Sequence, residues 1–337
     1  MIFGNDKLGY KLDEGWGKLT DGSNILDIPG IAVDSEDRLY VFSRDKQQVV
    51  VYDSEGNFIK AIEEDIIFSR PHGAYIGPDD SLYLTDDDDH SVKKFSSSIK
   101  LLLTLGSKGK PSDSGCINKD YRTIKRSAPP FNYPTNIALS STGDIFISDG
   151  YGNARVHRFS PDGVLILSWG EPGEKPGQFN LPHDIAISND GRVYVADREN
   201  SRIQVFDQNG NFITQWSNLN RPCGLHIDKD NHVYVAELGK RVGRFDLDYK
   251  EGLPDFPSDV LWSRLSIYDL EGKLITRWGE ANFSLPGSFF ATHCVCTDSK
   301  GDLYVGEVLK TISGEIFGEG KLPPGKSFAL QKFIRIK

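Results

Sequence analysis

The sequence predicts an all-β fold, a six-bladed propeller of four-stranded antiparallel blades. Three observations point there: one unit recurs six times, its strands are short and of even spacing, and its turns are rich in Gly, Asp and Asn. The copies begin near Pro29, Pro71, Pro134, Pro182, Pro222 and Thr292, which treats residues 1–337 as one propeller domain. Each copy reads as a short apolar strand, a polar turn, a second strand of aromatic and aliphatic residues, a loop, a third strand, a Gly-bearing turn and a fourth strand. Second strands include Leu39-Tyr40-Val41, Ile145-Phe146-Ile147 and Leu303-Tyr304-Val305. Turns such as Pro161-Asp162-Gly163 and Gln208-Asn209-Gly210-Asn211 suit hairpins between strands three and four. The last copy stops at a third strand over 329–336. The N-terminal stretch 9–16 is free to supply the fourth and close the ring, which removes the open sheet edges.

Strand direction sorts the loops onto two faces. The first strand starts, the second ends and the fourth returns on one face, and the long irregular segments 107–133, 239–263 and 310–327 all fall there. Long loops inside a compact fold are usually functional, so a site is expected on that face.

The residue that opens the first strand is Gly30, His72, Thr135, His183, Cys223 and His293 in blades one to six. Histidine therefore takes every second blade, at spacings of 111 and 110 residues. Equivalent positions on alternate blades of a six-fold ring lie roughly 120° apart about its axis, so three imidazoles converge. Three neutral imidazoles with open positions form the ligand set of a catalytic zinc, or of another first-row divalent metal. His90, His157, His226 and His232 occupy unrelated repeat positions and are expected to be structural or solvated. Cys223 reads as a small residue packed at the channel, with a fourth metal ligand as the alternative.

The loop after the second strand opens on the same face and carries Arg44, Tyr151 and Arg198. An Arg there suits capture of a carboxylate, and a Tyr beside a dication suits a general base. Each also admits a plainer reading, a surface ion pair for either Arg and a packed ring for Tyr151. The acids that end the second strand, Asp86, Asp149, Asp197, Glu237 and Glu307, recur in blades with and without His, which points to hydrogen bonding with loop backbone. The run of Asp from 86 to 89 lacks the spaced oxygens and Gly of a calcium loop and is expected to be a solvated acidic loop.

A net charge of -9 without a sustained Lys/Arg run argues against nucleic acid or an anionic membrane as partner and leaves a small-molecule substrate. The first thirty residues show no basic segment followed by an apolar core, no apolar run is long enough to span a bilayer, and four cysteines are too few for a disulfide scaffold. A cytoplasmic protein is the expectation. The oligomeric state is left open.

Several runs carry a family resemblance: Asp149-Gly150-Tyr151-Gly152-Asn153-Ala154-Arg155, Pro176-Gly177-Gln178-Phe179 with Leu181-Pro182-His183, and Ala196-Asp197-Arg198-Glu199-Asn200-Ser201-Arg202. The repeats resemble NHL repeats, and the whole chain resembles the peptidyl-α-hydroxyglycine α-amidating lyases. That resemblance implies zinc on His72, His183 and His293, Tyr151 as base, Arg44 on the substrate carboxylate and Arg198 at the same mouth. It implies cleavage of the C–N bond of an N-acyl-α-hydroxyglycine, giving glyoxylate and an amide; the expected cytoplasmic setting widens this to an N-substituted α-hydroxyglycine or similar hemiaminal, giving an amide or amine. Two departures matter. Cys294 stands where the family has an Asp associated with structural calcium, which speaks against calcium here. Gly152 stands where the family has a disulfide-forming Cys. A metal-dependent hydrolase or lactonase on the same propeller, and a non-catalytic NHL binding module, remain as alternatives.

Overall fold

The computed structural model describes residues 1–62, 68–239, 262–280 and 282–336. Six antiparallel sheets stand around a central channel, each with its first strand innermost. The first strands are Gly30–Val33, Pro71–Ile76, Pro134–Leu139, Pro182–Ile187, Pro222–Ile227 and Thr292–Thr297. Second strands such as Leu39–Phe42, Val193–Asp197 and Leu303–Glu307 are buried along their whole length, because a neighbouring blade covers each face. Outer strands such as Phe212–Trp216 are exposed except at the last residue. Burial therefore runs from channel to rim, and the apolar sequence follows it.

The ring closes with its two chain ends in one sheet. Gly9–Asp13 pairs antiparallel with Leu330–Ile336, from Gly9 opposite Ile336 to Asp13 opposite Lys332. A strand the sequence did not announce, Ile2–Gly4, adds to the outer edge of the same blade. Trp16 then stitches blade six to blade one, with its ring centroid 5.1 Å from Tyr304 and 5.6 Å from Tyr52.

Two expectations need correction. The 310–327 segment is not wholly irregular, since a helix, Leu309–Phe317, packs its buried Leu309 and Ile312 onto the core shared by blades one and six. The Asp run 86–89 is not a solvated loop: Asp86, Asp87 and Asp89 are buried, because Arg70, Lys93 and Lys119 turn toward them. The 239–263 insertion lies, except at its ends, outside the described residues.

One irregularity positions everything that follows. In blades two to six the pairing of the first strand with the second slips by one residue just after the opening Pro or Thr, between Pro71 and Ala74, Pro134 and Asn136, Pro182 and Asp184, Pro222 and Gly224, and Thr292 and Cys294. This is a β-bulge, which frees a residue from the ladder and re-aims its side chain. The freed residues include His72, Thr135, His183, Cys223 and His293. Blade one pairs in step from Gly30 opposite Phe42.

Removing residues 1–13 strips blade six of its closing strands and takes the buried Leu8 and Tyr10 away from Leu265, Leu303 and Phe333, which they help to cover. We expect that truncation to aggregate. The milder Tyr10→Ala should cost about 3–5 kcal/mol in a denaturant melt, the usual loss for a fully buried aromatic ring.

Candidate metal centre and its mouth

The three bulged histidines meet in the channel, with ring centroids 4.7–4.9 Å apart. Each Nδ1 donates to a backbone carbonyl of the next blade: His72 to Thr135 at 2.8 Å, His183 to Cys223 at 2.7 Å and His293 to Pro29 at 2.8 Å. A carbonyl can only accept, so Nδ1 carries the proton in all three rings and each Nε2 presents a lone pair. The potential ligand atoms lie within 4.8 Å of one another.

Tyr151 Oη sits 3.2 Å from His72 Nε2 and 3.1 Å from His183 Nε2. One phenolic proton cannot serve three converging lone pairs. A divalent cation satisfies all three at once, at metal–nitrogen distances of about 2.0–2.1 Å, so the donor set fits a metal. Burial, aided by the other imidazoles and by Arg44 and Arg198, drives the pKa of each histidine well below its usual value. The rings are neutral, as ligands must be.

Guanidinium groups ring this centre. Arg198 reaches Tyr151 Oη at 3.4 Å and is aimed by Glu199, whose Oε1 accepts from Arg198 Nε and from Arg221 Nη2, both at 2.8 Å. Burial opposes ionisation of Glu199, but Arg221 and Arg198 hold its pKa down to about 2. Arg44 is held through Nε by the Pro71 carbonyl at 3.0 Å and through Nη1 by Thr311 Oγ1 at 3.1 Å. Asp27 accepts from the Thr311 hydroxyl at 2.6 Å and lies 3.6 Å from Arg44 Nη1. Arg44 Nη2 is buried with no partner among the described residues. A buried guanidinium nitrogen without an acceptor is costly.

The sequence-selected residues His72, His183, His293, Tyr151, Arg44 and Arg198 thus share one mouth. Cys223 contributes its carbonyl rather than its thiol. Missed from sequence were Asp27, Arg70, Lys119, Glu199, Arg221 and Thr311. Arg70 and Arg221 both directly precede the Pro that opens a blade, a shared repeat position that comparison of the copies could have flagged. Lys119 and Thr311 lie in insertions outside the repeat and gave no signal.

The remaining histidines are structural. His157 bridges Ser168 Oγ and Asp149, His226 meets Thr297 Oγ1 at 2.8 Å, and His90 Nδ1 accepts from the Tyr133 amide. A further group, Asp228, Asp230 and His232, lies at a turn of blade five, where Asp228 already accepts from His232 and Tyr234.

With this geometry in hand, comparison with known proteins is informative. A family model described as the NHL repeat matches residues 131–159 and 179–206. The NHL repeat-containing protein 3 of Homo sapiens is 33% identical over 253 residues, covering 69% of this chain and 68% of that protein. The chain belongs to the NHL-repeat family. The peptidyl-alpha-hydroxyglycine alpha-amidating lyase 1 of Drosophila melanogaster is 34% identical over 164 residues, 45% of this NHL chain but 28% of that protein. A solved streptogramin B lyase shares the fold, with a TM-score of 0.61 over 97% of this chain and 98% of that one at 12% identity.

A structural calcium does not fit this NHL propeller's channel below the histidines. Cys294 is a poor ligand for a hard cation, and burial raises its thiol pKa well above the usual range. The buried carboxylate at this level is Asp184, on blade four. Its Oδ1 accepts from Asn136 Nδ2 at 2.6 Å and the Ile185 amide at 2.7 Å, and its Oδ2 from the Leu225 amide at 2.7 Å. It ties blades three, four and five by direct hydrogen bonds. Melting temperatures in EGTA and in millimolar calcium should therefore agree within about 1 °C, since a ligand that does not bind does not stabilise.

The neutral imidazoles also set a pH dependence. Below the unfolded histidine pKa of about 6.5 the unfolded chain binds protons that the native site refuses, so stability falls as pH drops through that value and levels above it. In metal-stripped protein the three rings should steepen the loss by up to about 4 kcal/mol per pH unit. Denaturant melts between pH 7.5 and 5 would measure it, and His183→Ala should flatten the slope by about a third.

Proposed function

We propose that this propeller is a metal-dependent lyase that cleaves the C–N bond of a small, carboxylate-bearing α-hydroxyglycine, releasing glyoxylate. One arrangement carries the reading: Tyr151 Oη lies against two metal-facing imidazole nitrogens while the buried Arg44 Nη2 lacks an acceptor. The relatives named as amidating lyases support the same chemistry.

His72, His183 and His293 would hold the metal, with zinc as the first candidate. When bound, it supplies a positive charge that makes a substrate hydroxyl more acidic. Arg44 holds the carboxylate, with Asp27 and Thr311 fixing its orientation before substrate arrives. Tyr151 takes the hydroxyl proton. As the C–O bond gains double-bond character, the C–N bond breaks, its electron pair stays on nitrogen, and nitrogen is protonated. Arg198, at hydrogen-bonding distance from Tyr151, stabilises the phenolate that accepts the hydroxyl proton, and Tyr151 then returns the proton to the leaving nitrogen. The four free thiols make a reducing compartment, such as the cytoplasm, part of this proposal.

Purified, metal-loaded protein should release glyoxylate from N-acyl-α-hydroxyglycines. Tyr151→Phe should lower kcat by about 10²–10⁴, the range for loss of a general base. Arg44→Gln should act chiefly on KM, raising it about tenfold or more, as expected for a lost charge-assisted hydrogen bond. Turnover of lactones without glyoxylate release would replace the reading with a hydrolase. Metal-free protein that tolerates His183→Ala would replace it with a binding module.

A further inference from the structure

The 107–133 insertion delivers one strained residue to the mouth. Ile117 and Asp120 bridge across a tight turn whose two central residues, Asn118 and Lys119, are both left-handed, with φ of 54° and 60°. The Asp120 amide closes it onto the Ile117 carbonyl at 3.0 Å. This is a type I′ turn, whose second central position ordinarily takes Gly. A lysine there is strained, and such strain persists only where the surroundings impose it. Here they do. Ser114 Oγ donates to the Gly152 carbonyl and the Cys116 thiol lies 3.9 Å from the Tyr151 carbonyl, so the insertion is pinned to the loop that carries Tyr151.

Although it stands at a loop tip, the Lys119 side chain is only 10% exposed. Its ammonium lies 5.2 Å from the Tyr151 ring centroid and 4.5 Å from that of Tyr133. Asp88 Oδ1 accepts from it at 2.7 Å, and Asp87 Oδ2 pairs with it electrostatically at 3.1 Å. Among the described residues no other acceptor takes a hydrogen bond from this ammonium, so it keeps N–H capacity for a ligand.

We propose that Lys119 is a substrate-binding residue that donates to the acyl oxygen on the leaving nitrogen. This rests on the reading that Arg44 holds the carboxylate. The chemistry favours that oxygen. The hydroxyl loses its proton to Tyr151, the C–N bond breaks, and the electron pair left on nitrogen spreads into the acyl C=O before nitrogen is protonated. No oxidant or reductant is needed. A cation beside the acyl oxygen stabilises the charge that develops there.

The test uses two turnover-independent probes on the full chain, N-acetylglycine and pentanoate, which match in length and carboxylate and differ in the acyl oxygen and the N–H. By calorimetry the wild type should bind N-acetylglycine about tenfold tighter or more. Lys119→Met should cut that preference to about twofold or less, weakening N-acetylglycine more than pentanoate. Because Met leaves Asp88 without its cation, K119M/D88N is measured beside it with the same expectation. Lys119→Gly, which removes the same cation while relieving the left-handed turn, should lose the preference too. Lys119→Arg should restore part of the preference.

A wild type without the preference, or a preference that survives all three Lys119 removals, overturns the proposal. Failure of the lyase reading looks different: no glyoxylate is released, yet a Lys119-dependent preference for the acyl probe stands.

Discussion

In blades two to six the carboxylate that ends the second strand is fully buried and receives backbone amides from the segment that leads into the first strand. Asp86 takes the amides of Ser69 and Arg70, Asp149 that of Asn132, Asp197 that of Asn180, Glu237 that of Asn220, and Glu307 those of Phe290 and Ala291. Third-strand side chains complete several of these carboxylates, among them His157, Arg202 and Arg264. Each such bond to an ionised acceptor contributes about 1.5–3 kcal/mol, and a buried carboxylate stripped of its donors would cost more. The tie fixes where the chain turns into the channel, and the bulge comes next. Blade one, with Ser43 at that position, uses Asp45 on the Leu26 amide instead.

From that anchor the candidate metal centre follows by short steps. The bulge turns His72, His183 and His293 inward, and the carbonyls of Thr135, Cys223 and Pro29 on the intervening blades fix their tautomers. Alternation therefore does two jobs. Even blades supply the imidazoles, and odd blades supply the acceptors that orient them. Small residues on the odd blades make room: a Cβ on Gly30 would lie 2.7 Å from the His72 carbonyl, and one on Gly224 would lie 2.7 Å from that of His293.

Around the centre, charge is arranged so that the histidines stay neutral and the cations stay charged. Glu199 serves Arg198 and Arg221, Asp87 serves Arg70 and Lys119, and Asp27 serves Arg44. Each carboxylate is paired with the cation it orients, so the mouth is lined by positive groups whose charge is partly balanced from within. Burial and its Arg70 neighbour lower the pKa of Arg44, the one guanidinium here with a buried nitrogen left unpartnered. That cost is consistent with a site prepared for an anion.

The sequence by itself determined the repeat, the closure of the ring and the alternation of histidine. These are local or periodic properties: strand and turn chemistry act over a few residues, and identical units stack in only one way. It also placed Arg44, Tyr151 and Arg198 on the correct face, because strand direction is set by counting strands. Only the tertiary structure decided the rest. The bulge is a slip in register, invisible in composition. Asp87 and Asp89 read as solvated because the cations that bury them, Arg70, Lys93 and Lys119, come partly from another loop. Lys119 and Thr311 lie in insertions without a repeat counterpart, and only folding brings them to Tyr151 and Arg44.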